Sequence, residues 1–211
     1  EDYAYVVDAG PDFRQQMLRE KVKKLDGLIF THGHKDHVAG LDDVRAFNFI
    51  QQKPMDIYAE EIVVDIIKQE FSYVFEEDKY PGVPQINVHY IDDKPFEILG
   101  TQIIPIRCMH YKLPVLGFRV GDFAYITDAN LIPEDQLEKL NGLEVLIITA
   151  LRKHKHISHF SLSDALDIID RLKPKRAFLT HISHQMGLHT EVSGELPDNV
   201  ELAYDQLELE L

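Results

Sequence analysis

A single cysteine, Cys108, in 211 residues excludes an internal disulfide, and a lone thiol fits a reducing, cytoplasmic setting. No apolar run approaches the roughly 18 residues that a membrane helix needs, so no membrane association is expected. The start, Glu1-Asp2-Tyr3, is acidic, whereas a secretory leader opens with basic residues before an apolar stretch. Basic residues are scarce: 22 Lys and Arg against 36 Asp and Glu leave a net charge of −14. Such a surface repels DNA and disfavours RNA. The densest basic stretch, Arg152-Lys153-His154-Lys155-His156, reads as a solvated loop. Low-complexity tracts, Gly/Ser linkers and short repeats are also missing, so one domain over 1–211 is expected.

What the chain does have is Thr31-His32-Gly33-His34-Lys35-Asp36-His37, directly after the apolar Leu28-Ile29-Phe30. Imidazole and carboxylate are ligands for Zn²⁺, Mn²⁺ and Fe²⁺. On an extended turn His32 and His34 can grip one ion. Asp36 and His37, at the start of the next helix, can face a second. Further candidates follow apolar strands at the point where each ends: His110, Asp128 and His181. Strand ends are where layered α/β folds place their sites. Taken singly, His110 is as readily a packing residue and Asp128 a turn former.

The coarse pattern alternates strands and helices. Strands are expected at 3–7, 27–31, 56–59, 86–91, 96–99, 102–107, 117–120, 123–127, 143–149 and 176–180. Asp12 is expected to cap a helix reaching about residue 20. Leu41, Val44 and Phe47 recur at helical spacing, and Ile62, Ile66 and Ile67 mark an amphipathic helix. Pro133 is expected to start another helix. Ser161 or Ser163 should cap one whose buried face holds Leu166, Ile169 and Leu172. Residues 71–85 read as loop, and 201–209 as a closing hairpin. The composition is ordinary for a globular α/β protein, with 45% hydrophobic and 27% charged residues.

The H-x-H-x-D-H pattern resembles that of the metallo-β-lactamase superfamily. The runs Asp8-Ala9-Gly10-Pro11-Asp12-Phe13-Arg14, Gly40-Leu41-Asp42-Asp43-Val44-Arg45, His159-Phe160-Ser161 and His181-Ile182-Ser183-His184 are similar to its phosphodiesterase branch. Within that branch they resemble the phosphoribosyl 1,2-cyclic phosphate phosphodiesterases of the carbon–phosphorus lyase pathway. The resemblance implies a four-layer αβ/βα sandwich of two mixed sheets with outer helices. It also implies one or two strands before the segment matching Val6-Val7-Asp8, so the fold is expected to lack its N-terminal strand or strands here. It assigns His32, His34 and His110 to one divalent ion, Asp36, His37 and His181 to a second, and Asp128 as the bridge. Asp8 becomes the acceptor that holds the His loop in shape. Asp36 and His159 enter the chemistry, His159 as the acid that protonates the leaving group. His184 matches the ligand of a third, structural Zn²⁺ that relatives complete with N-terminal cysteines.

The implied function is binuclear hydrolysis of a small, cyclic phosphodiester by a metal-bridging hydroxide, with Zn²⁺, Mn²⁺ or Fe²⁺ as cofactor. Arg14, Arg45, Arg119 and Tyr111 are candidate contacts for the phosphate or its ring. The sequence leaves the oligomeric state open, a homodimer included. Competing readings are a tRNA 3′-processing endonuclease, a thioester or lactone hydrolase on the same metals, and a metal-binding protein without turnover. The acidic surface and the missing basic exosite arm count against the first. The His159 segment counts against the second. A full set of ligand types counts against the third.

Overall fold

The computed structural model describes residues 3–210. Glu1-Asp2, which carries the no-leader reading, lies outside them. The chain divides into two compact units, Glu1–Asp92 and Asp93–Leu211. No helix among the described residues is long and apolar enough to cross a membrane.

The first unit runs β1 (Tyr5–Val7), α1 (Phe13–Arg19), β2 (Gly27–Ile29), α2 (Lys35–Val38), a 3₁₀ turn (Leu41–Val44) leading into α3 (Arg45–Gln51), β3 (Met55–Ala59), α4 (Glu61–Glu70), α5 (Ser72–Phe75) and β4 (Ile86–Tyr90). Its strands lie in the order β1-β2-β3-β4, parallel throughout. Helical crossovers between successive strands make that direction the available one. Leu28, Phe30 and Ile57 pack with Phe13, Leu41, Val44, Val64 and Ile67 in one core. Strand β1 stands at one end of this sheet.

Three expectations are corrected here. Helix α4 buries Val63, Val64 and Ile67, while Ile62 is 52% exposed. Three β-branched residues in a row, 62–64, compete for one face, and spacing alone does not choose among them. Asp12 precedes α1 without a side-chain cap bond, because its φ of −92° and ψ of 5° are not the extended geometry that an N-cap uses. Residues 72–75 form the short helix α5 inside the stretch read as loop.

The second unit runs β5 (Phe96–Ile98), β6 (Thr101–His110), β7 (Leu113–Val120), β8 (Phe123–Ile126), α6 (Glu134–Leu137), β9 (Val145–Thr149), α7 (Leu162–Leu172), β10 (Arg176–Thr180), α8 (His189–Ser193) and β11 (Val200–Leu202). The seven strands lie in the order β11-β10-β9-β8-β7-β6-β5. Pairs are antiparallel from β5 to β8 and parallel from β8 to β11. Ser161 and Asp164 close a capping box at the start of α7, so of the two serines it is Ser161 that caps. The buried face of α7 is Ala165, Ile169 and Leu172. Pro133 is the cap of α6 rather than its first residue. The tail forms no hairpin: β11 arrives after a helical crossover and pairs parallel to β10, and the chain then turns at Tyr204–Leu207.

Entry into β2 is fixed by Asp26, which is 5% exposed. Its carboxylate accepts from Ala4 N–H at 3.0 Å and lies 3.2 Å from Lys24 Nζ and 3.6 Å from Lys53 Nζ. Burial pushes this carboxyl up, but the Ala4 bond and the two ammonium groups outweigh it and hold the carboxyl below its ordinary range. A depressed folded value contributes stability above the unfolded value of about 3.9, and loses it as pH falls through the folded value. Asp26→Asn is therefore expected to lower stability at neutral pH and to flatten its acid dependence below about pH 4. Denaturant titrations of both proteins across that window check this.

Cys108 is fully buried in the second core, and burial pushes its thiol up to about 12. Because the thiolate is the reactive form, a thiol reagent at about pH 8 is expected to label the protein only as fast as it unfolds. Rapid labelling of folded protein would contradict this placement.

Candidate metal centre

Parallel pairing decides where the ligand types emerge. In the first unit β1 and β2 run the same way, with Val7 opposite Ile29. Asp8 and the Thr31–His37 loop therefore leave the sheet at the same end. Asp8 has a left-handed backbone, φ 62°, which turns its carboxylate toward that loop. It accepts from Thr31 N–H at 2.8 Å, from Thr31 Oγ1–H at 2.8 Å and from His37 Nδ1 at 2.7 Å. Burial raises the Asp8 carboxyl above its ordinary range, and the His37 and Thr31 bonds offset only part of that rise. All three contacts are with donors, which suits a carboxylate.

Two glycines allow the close approach. A Cβ on Gly10 would stand 2.5 Å from the Asp36 carbonyl oxygen, and one on Gly40 would stand 2.2 Å from the Gly10 carbonyl oxygen. Ala9 N–H to His37 O at 2.7 Å and Gly40 N–H to Ala9 O at 2.8 Å lock the two segments together.

These bonds set the tautomers. The Asp8 carboxylate only accepts, so His37 carries its proton on Nδ1. Thr31 Oγ1 spends its hydrogen on Asp8, so it accepts from His32 Nδ1 at 3.0 Å. Both rings then present Nε2 with its electron pair, the form that binds a metal. His32 Nε2 lies 3.0 Å from His34 Nδ1. Two ring nitrogens on one tetrahedral zinc stand roughly 3.3 Å apart, so this pair has the right spacing for a shared ion. Asp36 is exposed, with Oδ2 3.5 Å from His37 Nε2.

The second unit repeats the logic. Strands β8 and β10 both run parallel to β9, and β6 reaches the same direction through two antiparallel steps. His110, Asp128 and His181 thus leave the sheet at one end. Asp128 and His181 have left-handed backbones, φ 48° and 54°. Asp128 is 2% exposed, accepts from Thr127 Oγ1–H at 2.8 Å and lies 2.9 Å from His181 Nδ1. His110 Nδ1 donates to the Ser158 carbonyl at 2.8 Å, which again puts the electron pair on Nε2.

His159 is held over this cluster. Phe160 N–H bonds Ala129 O at 2.7 Å, and Leu151 N–H bonds Phe160 O. The His159 ring packs edge-on to His110 at 4.5 Å and stacks on His181 at 4.9 Å. Ligand-type atoms of His110, Asp128 and His159 lie within 4.8 Å of one another. Burial pushes His159 down to about 4, Asp128 pulls it up, and the neighbouring His181, His110 and His156 push it further down. Its Nδ1 is buried without a hydrogen-bond partner among the described residues. A buried ring nitrogen without a partner, in a cluster of imidazoles and a carboxylate, fits a site built around a cation.

The remaining expectations fall elsewhere. His184 is exposed on the 3₁₀ turn after β10 and joins no cluster of three ligand types among the described residues. Arg119 is used by the fold, bonding the carbonyls of Gly121, Lys139 and Asn141. Arg14 and Arg45 line a cavity of about 580 Å³ in the first unit that no residue of the His loop lines. Sequence reading missed Thr31 as the residue that sets the His32 tautomer, although a hydroxyl just before the motif was the available signal. The Ser158 carbonyl left no side-chain signal at all.

The β-lactamase superfamily domain model matches residues 3–182. A new diphosphatase from the PhnP family, solved as a crystal structure, is 37% identical with a TM-score of 0.90, covering 98% of this chain and 79% of its own. An octanoyltransferase of Porphyromonas gingivalis is 37% identical over 205 residues, 96% of this chain and 41% of that protein. A ribonuclease Z of Methanococcus maripaludis is 28% identical over 156 residues, 72% of this chain and 48% of that protein. The chain thus spans less than half the length of these two curated relatives. With a family model covering most of it and a structure this similar, the chain belongs to the metallo-β-lactamase superfamily and, within it, to the PhnP family.

Proposed function

We propose that this chain is a metal-dependent phosphodiesterase acting on a small, cyclic phosphodiester. His32, His34, Asp36 and His37 from the first unit, with His110, Asp128 and His181 from the second, are assigned as ligands of two divalent ions, Zn²⁺, Mn²⁺ or Fe²⁺. In this reading the two units serve one hydrolase. The observation that carries it is the fixed tautomers: His32, His37 and His110 each commit Nδ1 to Thr31, Asp8 or Ser158. Protein interiors orient imidazoles this way when Nε2 is a ligand. Similarity to a PhnP-family diphosphatase and to ribonuclease Z supports phosphate esters as the substrate class.

Bound divalent cations would supply positive charge against the phosphate oxygens and lower the pKa of water at the site. The chain's own residues do the rest. Asp8 and Thr31 keep the His loop from rotating, and Ser158 does the same for His110. In this reading His159 hands a proton to the leaving oxygen. Burial pushes its pKa down to about 4, and an anionic phosphate against the ring would raise it, so the ring would draw the proton it hands on from solvent water. The net charge of −14 favours a small ester over a long polyanion such as tRNA. Thiol-based acyl transfer has no support, since the one thiol is buried in the core.

His32→Ala and Asp128→Ala are expected to lose metal and activity together. His159→Ala is expected to keep both metals and lose about 10²–10⁴ in rate. Metal content by elemental analysis beside kcat separates the two outcomes, and loss of metal in His159→Ala would remove its assignment as the acid.

Turnover of a ribosyl 1,2-cyclic phosphate and of bis-p-nitrophenyl phosphate, with added Mn²⁺ or Zn²⁺ and then with chelator, tests the reading as a whole. Chelator-sensitive cleavage, faster on the cyclic ester, is expected. Metal-loaded protein that cleaves neither would move the assignment to thioesters, lactones or metal binding alone.

A further inference from the structure

The segment between β9 and α7 carries His156 as well as His159, and their rings stand 5.2 Å apart. Arg152 clamps this segment. Its guanidinium donates to the carbonyls of His154 at 3.1 Å and Lys155 at 2.8 Å, and to Gln185 Oε1 at 2.8 Å. Leu162 N–H bonds the Arg152 carbonyl at 2.8 Å and ties the segment to the start of α7. Within it Ser158 serves two rings. Its carbonyl accepts from His110 Nδ1 at 2.8 Å, and its backbone N–H donates to His156 Nδ1 at 3.3 Å.

A backbone N–H can only donate, so His156 Nδ1 accepts and the ring carries its proton on Nε2. Burial, Arg152 and His110 all lower the His156 pKa, which keeps the ring in this neutral form. His32, His37 and His110 are set the other way, with the proton on Nδ1. Those three present an electron pair, whereas His156 presents an N–H. In keeping with that difference, His156 joins no cluster of three ligand types among the described residues. Its Nε2 makes no hydrogen bond among them either. The neighbouring His159 ring stands 4.5 Å from His110 and 4.9 Å from His181. His156 is thus a donor without an acceptor, fixed by its own loop and one ring removed from the ligand-type cluster.

We propose that His156 is a substrate-binding residue whose Nε2–H donates to an anionic, non-bridging oxygen of the phosphate ester and holds that ester against His159. This rests on the phosphodiesterase reading for the identity of the ester, while the contact itself is with phosphate. The two histidines then divide the work. His159 serves the oxygen that leaves, and His156 serves an oxygen that keeps its charge throughout. A donor facing a charged oxygen makes a stronger bond than one facing a neutral oxygen. The contact asks for nothing beyond the phosphate, so it suits a sugar cyclic phosphate that carries no other group.

The test uses His156→Asn and His156→Gln. The amide of asparagine reaches the place of Nδ1, so it can still accept from Ser158 but lacks the outer donor. The amide of glutamine reaches the place of Nε2 and keeps that donor. Metal-loaded wild type and variants are titrated calorimetrically with inorganic phosphate, with metal content measured on the same samples. His156→Asn is expected to keep its metal and bind phosphate about 10–100-fold more weakly, the loss of one hydrogen bond to a charged group. His156→Gln is expected to recover most of that loss. A histidine that only braces its loop would leave His156→Asn at the wild-type affinity, and that result overturns the assignment. So does an equal loss in both variants, loss of metal in His156→Asn, or a wild type that binds no phosphate. In turnover, His156→Asn is expected to lose the same factor on the ribosyl cyclic phosphate as on bis-p-nitrophenyl phosphate. A loss that instead grows with the basicity of the leaving oxygen would make His156 the acid and overturn its role as a phosphate contact. If phosphate affinity follows His156 while neither ester is cleaved, the hydrolase reading falls and this one stands. Cleavage of both esters without any His156 dependence of phosphate binding does the reverse.

Discussion

The carboxylate of Asp8 is the constraint on which the ligand-type loop of the first unit depends. It sits where the ends of β1 and β2 meet the start of α2, and it takes three donors at 2.7–2.8 Å. Its effect on His32 is indirect and can be followed atom by atom. Because Thr31 donates to Asp8, it must accept from His32, and His32 must carry its proton on Nδ1. Without the carboxylate, Thr31 would be at liberty to donate to His32 Nδ1 instead. The proton would then move to Nε2 and close the atom that faces His34. One buried acid thus decides the protonation of a ring that it does not touch.

The cluster of the second unit is positioned differently. It relies on strand direction and on backbone strain. Topology brings three strand ends to one side of the sheet, and left-handed turns at Asp128 and His181 then redirect side chains that would otherwise continue along the strand. Such turns persist only where the surroundings hold them. Asp128 is held by Thr127 Oγ1 and His181 Nδ1. The 158–161 segment, tied to Ala129 and Leu151, closes over the cluster and brings in both His159 and the Ser158 carbonyl.

Much of this was legible from the chain. The ligand types are polar residues placed where apolar runs stop, and a strand's two-residue period makes such stops visible. The tautomers were not legible, because they depend on partners far away in sequence: His110 is set by a carbonyl 48 residues on. Helix α4 was found but its buried face was misread, since consecutive β-branched residues satisfy several phases equally. The tail was misread for a similar reason. Residues 200–202 alternate buried and exposed whether the partner strand is parallel or antiparallel, and only the crossover through α8 decides between them. Asp12 looked like a cap because composition cannot report ψ.

The imbalance of charge in the sequence looks at odds with the proposed phosphate-ester substrate, and burial bears on that conflict. Most of the acidic groups are on the surface, where their fields are screened within about 8 Å at physiological ionic strength. Burial works in the opposite direction on His159 and its neighbour His156, disfavouring the charged imidazole. His159 is pushed to about 4, and His156 is lowered by burial and by Arg152. Neutral imidazole is the form that cations require, so acidity outside and neutrality inside are compatible properties of one chain. Under the proposed phosphodiesterase reading, the consequence falls on the size of the substrate rather than its sign. A small phosphate ester meets the unfavourable surface only briefly on its way to the cluster, whereas a long polyanion would lie against it along its whole length.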